Sequence, residues 1–295
     1  MNNLLNYSLI GIGEFSHGIQ ESWEFRFNLL KYSLKNTDKK IIIFNEMSRW
    51  QAENIQNNTI WSKSKNQIIP YNGIRIEKPY KNGNYVAGRL AQYANHTTDS
   101  KIFLRIIKFI RKHKKRITII GIDNDKIDRD YAMYKMIMKN YNPSRINFIW
   151  AHNSHISSTP LDMANYKYIK NKKHKWFCGY YLKKKLKNKY CIVLSLAYRG
   201  ISRFNSYCSG INCATRTWQL KYVYKRFIIP QYKKYVNLKK QIQLIPNDKT
   251  TKYKIESFVC FSNSYFRDKK DGIMNYTKTD IFNYILFWNK VNYLR

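Results

Sequence analysis

Two histidines stand three residues apart in Trp-Ala-His-Asn-Ser-His, residues 150–155, directly after a run, 144–150, that reads as a buried strand. The whole chain has only six histidines. An imidazole titrates near neutral pH, so it can take a proton from water and later return one to a leaving alkoxide. Other scarce ionisable residues sit in equivalent places. Residues 7–12 are followed by Gly-Glu-Phe-Ser-His-Gly, which holds Glu14 and His17; residues 40–45 run into Glu46; residues 116–122 end in Asp123, Asn124 and Asp125. His17, Glu46, His152 and His155 form the candidate catalytic set, with Glu14 beside them. A carboxylate at a strand end is often only a helix cap or a partner for a lysine, and Asp123 and Asp125 are read in that way.

These residues share one address if the elements between them are arranged as the sequence suggests. Short β-branched runs alternate with segments of helical period, which predicts an α/β fold: a mainly parallel sheet flanked by helices. The strand candidates are 7–12, 40–45, 116–122, 146–151, 190–197 and 284–288. Helices are expected over 20–36, where Trp23, Phe27, Leu30 and Leu34 repeat at helical spacing, over 101–115 and over 131–141. In such sheets ligands bind beyond the carboxyl ends of the strands, so the candidate residues should face one rim. The helix that follows Gly-Glu-Phe-Ser-His-Gly carries Glu21, Glu24 and Arg26 in its first turns. A cation there is not favoured by the helix dipole, so Arg26, with Glu21, is a candidate for binding substrate, and a surface ion pair is the plainer alternative.

The bulk numbers bound the rest. A chain of 295 residues with 44% hydrophobic content can bury a full core, and no linker composition divides it, so a single domain over 1–295 is expected. Fifty-four Lys and Arg against eighteen Asp and Glu give a formal charge of +36. The lysines are spread along the chain with many Asn, Ile and Tyr, as an AT-rich coding sequence would impose, so the charge by itself does not call for nucleic acid. Five cysteines without a Cys-x-x-Cys pair read as reduced and structural, which with the lack of a leader or an apolar span suggests a cytoplasmic protein with no membrane partner. Residues 50–100 read as a loop-rich excursion, and the basic, Tyr-rich stretch beyond about 200 shows few clear periods.

Four ordered blocks then resemble the erythromycin esterase family: Gly-Glu-Phe-Ser-His-Gly leading into a helix with Glu and Arg, Ile-Phe-Asn-Glu ending at Glu46, Arg-Asp-Tyr-Ala-Met beginning at Arg129, and Trp-Ala-His-Asn-Ser-His ending at His155. They span residues 10–156. The resemblance implies an esterase in which one histidine acts as general base on water, oriented by a carboxylate, with Glu14, His17, Arg26, Glu46, His152 and His155 at the matching positions. His17, paired with Glu46, is the expected base. The expected partner is a small-molecule ester or lactone, and no cofactor is implied; no Gly-x-Ser-x-Gly elbow is present for a serine nucleophile.

Two other readings use the same residues. Glu14, Glu46, His17, His152 and His155 are ligand types for a divalent metal, which would make the hydrolysis metal-dependent. Residues 218–240 interleave Tyr and Trp with Lys and Arg, as single-strand binders do, which would suit an inactive, basic binding protein on the same fold. The sequence sets no oligomeric state.

Overall fold

The computed structural model describes residues 1–14, 19–57, 59–62, 67–70, 101–123, 128–158, 176–205, 215–219, 240–246, 257–258, 273–274 and 282–291. Within them the main strands are β1 (Leu9–Glu14), β2 (Ile41–Ser48), β5 (Ile117–Asp123), β6 (Ile146–His152), β7 (Tyr190–Asn205), β9 (Ile242–Pro246) and β12 (Tyr284–Val291). They lie side by side in the order β5-β2-β6-β1-β7-β12-β9. Every neighbouring pair is parallel except β12 with β9, which is antiparallel and puts β9 at the edge. Short β8 (Thr215–Gln219) pairs antiparallel with the far part of β7, and β3 (Thr59–Ser62) with β4 (Gln67–Pro70), and β10 (Ser257–Phe258) with β11 (Ile273–Met274), form separate two-stranded ribbons.

The architecture is the expected α/β one. Strands β1, β2 and β6 are buried along nearly their whole length, as parallel strands covered on both faces must be. Alternate residues serve alternate faces. On one face Ile10, Ile12, Ile41, Ile43, Phe148 and Trp150 pack against α1 (Gln20–Asn36), α2 (Arg49–Asn57) and α3 (Lys101–Lys112). On the other, Leu9, Ile42, Phe44, Ile149 and Ala151 pack against α4 (Arg129–Asn140) and α6 (Cys178–Leu186), with the short turn α5 (Asn153–Ile156) between them.

The helices form where apolar residues recur at three- and four-residue intervals. In α1 Trp23, Phe27 and Leu30 are buried, and in α3 Ile102, Phe103, Ile106, Ile107 and Ile110 make one stripe. Arg111 and Lys112 close α3 where the helix dipole favours cations, and the Arg111 Nε–H donates to the carbonyl of Ile55 at 2.9 Å, tying α3 to α2. No helix among the described residues is long and apolar enough to cross a membrane.

The strand expectations at 7–12, 40–45, 116–122, 146–151, 190–197 and 284–288 each fall on a strand of the sheet, most of them extending further toward the carboxyl end. The stretch 50–100, read as an excursion of loops, contains α2 and the β3–β4 ribbon, and residues 71–100 lie outside the described residues.

Neighbouring strand ends come close enough to exclude a side chain at Gly121 of β5. A Cβ there would sit 2.1 Å from the carbonyl oxygen of Ser48, where the β2–β5 register shifts. Since the obstacle is backbone, Gly121→Ala is expected to lower stability by about 1–3 kcal/mol or more. The measurement is the urea midpoint of the two proteins, and equal midpoints would contradict it.

Candidate active site

Strands β1, β2, β5 and β6 run parallel, so Glu14, Glu46, Asp123 and His152 all stand at the same end of the sheet. Glu14 and His152 are direct partners in the β1–β6 register. All four are buried.

The four residues of His-Asn-Ser-His divide the work of making the rim. His152 ends β6 and caps α5: its Nδ1 lies 2.9 Å from Ser154 Oγ and 3.4 Å from the Ser154 N–H, which donates to it. That contact leaves Nδ1 as the acceptor and Nε2 as the protonated nitrogen of a neutral ring. Asn153 clamps the neighbouring strand, donating to the carbonyl of Ser195 at 2.8 Å and accepting from its N–H at 3.0 Å. Gly13 makes the room, since a Cβ there would lie 2.1 Å from Asn153 Oδ1. His155 turns to the α4 side.

Around His155 the ionised groups converge. Arg129, the first residue of α4, donates from Nε to Asp123 Oδ1 at 2.5 Å and from Nη2 to Asp123 Oδ2 at 2.6 Å. Nη2 also donates to Glu46 Oε1 at 2.8 Å, and Nη1 lies 2.9 Å from His155 Nε2. Glu46 Oε2 accepts from the backbone N–H of His152 at 2.7 Å, so one carboxylate ties β2 to both β6 and α4. The same Nε2 of His155 is 3.2 Å from Glu46 Oε1, while its Nδ1 is 2.7 Å from Asp130 Oδ1. Asp130 Oδ1 also accepts the N–H of Cys178 in the first turn of α6 at 3.1 Å.

Charge follows from these contacts. Burial works against a cation at His155, but Asp130 and then Glu46 outweigh both it and the opposing Arg129, and the ring is pushed up to about 9. It is an imidazolium at pH 7. Burial likewise disfavours the Asp130 carboxylate, yet His155 and Arg129 hold it below its usual range. Arg129 is raised: burial opposes its charge, and Asp123, Glu46 and Asp130 more than offset that. Burial and the nearby Asp130 push the Cys178 thiol well up, so it stays protonated and is no nucleophile.

A second buried pair stands on the opposite face. Arg26 is fully buried; its Nη1 donates to Glu14 Oε2 at 3.4 Å and its Nη2 to the carbonyls of Ile12 at 2.9 Å and Ala151 at 3.1 Å. The guanidinium also lies 4.7 Å over the Trp23 ring. Its observed place is a staple between the ends of β1 and β6, buried inside the protein. Glu21 lies partly buried in the first turn of α1.

The structure therefore brings together Glu46, His152 and His155, with Glu14 alongside. His17 and Asp125 lie outside the described residues, as does nearly all of the Tyr- and Lys-rich segment 218–240. Asp123 is no simple cap; it is the bidentate partner of Arg129. Arg129 and Asp130 did not enter the candidate set, although their block was read: an acid in the first turn of a helix is what the dipole alone would select. Their adjacency at the start of a helix that begins near a strand end was the available signal. Among the described residues no three His, Cys, Asp or Glu side chains converge to hold a metal ion. The Arg129 guanidinium occupies the space between the carboxylates of Asp123 and Glu46.

A family model for erythromycin esterase matches residues 86–212. Over that range the chain is similar to the erythromycin esterase family. That range contains the Arg-Asp helix and the Trp-Ala-His-Asn-Ser-His strand end, while the blocks around Glu14 and Glu46 precede it. Among solved structures, a Bacillus cereus protein superposes with a TM-score of 0.67 at 12% identity, over 99% of this chain and 91% of that one. A mutant of the erythromycin esterase EreC in its open conformation gives 0.62 at 10% identity, over 99% and 93%. A protein described as a succinoglycan biosynthesis protein gives 0.58 at 14%, over 100% and 90%. These likenesses show a shared fold. No curated protein matches the chain by sequence.

The His155 cation carries a pH signature. Its pKa in the folded protein lies above the ordinary value of 6.5, so the stability it contributes is full below about 6.5 and is lost as pH rises toward 9. Denaturant unfolding at a series of pH values should show the wild type losing stability across that window more steeply than His155→Gln. Parallel curves would refute the assignment of charge.

Proposed function

We propose that the chain is an erythromycin esterase-like hydrolase that cleaves an ester or lactone with activated water. The observation that carries this is the set at the β2 and β6 ends: Glu46, held by Arg129 and the His152 N–H, beside a cationic His155. The family match and the fold shared with an erythromycin esterase support it.

Ester hydrolysis needs a base to take a proton from water as oxygen attacks the carbonyl carbon, positive charge or donors for the tetrahedral oxyanion, and a proton for the departing alkoxide. His155 already carries its proton at neutral pH, so it cannot be the base; it supplies positive charge. The base role falls to His17 or His152. Since His152 Nδ1 accepts from Ser154, its neutral ring presents Nε2–H, suited to donating toward the oxyanion. His17 is taken as the base, three residues beyond Glu14, whose strand partner is His152. Glu46 orients the set, and Arg26 acts on it by fixing Glu14. No metal is assigned a step.

The test is turnover of a panel of aryl esters, lactones and macrolides by wild type, His17→Ala and His152→Ala, each with and without chelator. Expected is a loss of about a hundredfold or more in kcat for His17→Ala and no effect of chelator. Activity that vanishes with chelator would turn the reading to a metal-dependent hydrolase. No turnover of any ester by folded wild type would end it.

A further inference from the structure

His155 is enclosed by charge on most sides. From α4 come Asp130, 2.7 Å from Nδ1, and Arg129, 2.9 Å from Nε2; from β2 comes Glu46, 3.2 Å from Nε2. Asp123 at the end of β5 reaches the ring only through Arg129. From α6 comes, at its N-cap, Phe177, whose ring stands edge-on with centroids 6.1 Å apart, while the Cys178 thiol is protonated beside Asp130. Asp130 alone is in contact with Nδ1 among these.

Nε2 is shared by two neighbours that demand opposite things of it. With a bare lone pair it accepts from Arg129 Nη1; with a proton it donates to Glu46 Oε1. With the Nδ1 hydrogen held by Asp130, a proton on Nε2 makes the ring a cation, and the neighbouring carboxylates favour that state, in which Nε2–H faces Glu46. Asp130 is itself immobile: it is buried, and its Oδ1 also receives the Cys178 N–H, which would be orphaned if the carboxylate swung away. The hydrogen on Nδ1 is therefore fixed by the docking of α6 against α4.

We propose that Asp130 is a positioning residue for the hydrolysis: by accepting the Nδ1–H it fixes the orientation of His155 and holds the ring as the cation whose Nε2–H faces Glu46. The link to turnover rests on the hydrolase reading above; the control of the ring does not. A purely structural Asp130 would affect stability and leave the titration of the ring unchanged.

The experiment compares full-length wild type, Asp130→Asn, Asp130→Ala and Asp130→Glu. One arm follows the ring nitrogens of nitrogen-15-labelled histidine by NMR against pH, with His155 assigned from His155→Gln. The other measures kcat and KM on an aryl ester that the wild type cleaves. Asparagine keeps the shape and an acceptor for both hydrogen bonds, so Asp130→Asn isolates the charge. The expected result is that His155 in Asp130→Asn binds its proton at least about tenfold more weakly than in wild type, a shift of one pH unit or more. With it, kcat at pH 7 falls about tenfold to a hundredfold while KM changes little, and Asp130→Glu recovers part of both. A wild-type ring titration in Asp130→Asn and Asp130→Ala overturns the proposal, and so does a kcat within about twofold of wild type. If the wild type cleaves no ester, the hydrolase reading fails and the ring titration alone decides: unchanged, it overturns Asp130 as the residue that sets His155; shifted, it upholds it.

Discussion

Asp123, Glu46 and Asp130 bring three negative charges into a region with little access to water, and an isolated carboxylate there would be far from favourable. Arg129 touches both Asp123 and Glu46, and His155 spans Glu46 and Asp130. Removing either cation would leave buried charge uncompensated, at a cost of about 3–5 kcal/mol for a typical buried pair. The network constrains the fold in return. Its members come from β2, β5, β6, α4, the short α5 and, through the Cys178 N–H, α6, so the ends of three strands and three helical segments are joined through it.

The backbone geometry serves that network. Parallel strands can be stacked in any number without bringing side chains of the right kind to one end; here the register pairs Glu14 with His152 and lets the Glu46 carboxylate reach across to the His152 N–H. Arg26 locks the β1–β6 seam from the far face by bonding to a carbonyl of each strand and to Glu14. Arginine suits both buried positions because its planar fork can satisfy several acceptors at once, whereas an ammonium is more strongly hydrated and yields its proton more readily when buried. The buried acids among the described residues are Glu14, Glu46, Asp123 and Asp130, and each is paired with Arg26, Arg129 or His155.

How much of this was legible depends on which physical rule wrote the residues. The central strands read clearly because burial on both faces demands unbroken β-branched and aromatic runs, as in Ile41–Phe44 and Ile146–Trp150. Edge strand β9 was missed: Ile242, Gln243 and Leu244 are exposed or half-buried there, so the segment carries no strong pattern. At the site, Glu46, His152 and His155 were found because His and Glu at strand ends are scarce and stand out. Arg129 and Asp130 were quoted but left unassigned, since Arg and Asp in the first turn of a helix have ordinary explanations. Only the tertiary approach of α4 to the β2 and β5 ends separates those explanations from a hub of ion pairs.

The presence of Arg129 has a consequence for the chemistry. A divalent ion would polarise a carbonyl and acidify water from a single point, and its ligands would need to be free of competing cations. Here the carboxylates of Asp123 and Glu46 are already bonded to a guanidinium, whose hydrogens are committed to directions fixed by its plane. Positive charge stands at the rim on His155 as well, between Glu46 and Asp130, in a form that can carry or release a proton. A metal ion supplies charge without proton transfer. An imidazolium between two carboxylates supplies both, which is the property hydrolysis of an ester requires when the attacking water and the departing alkoxide must exchange protons within one site.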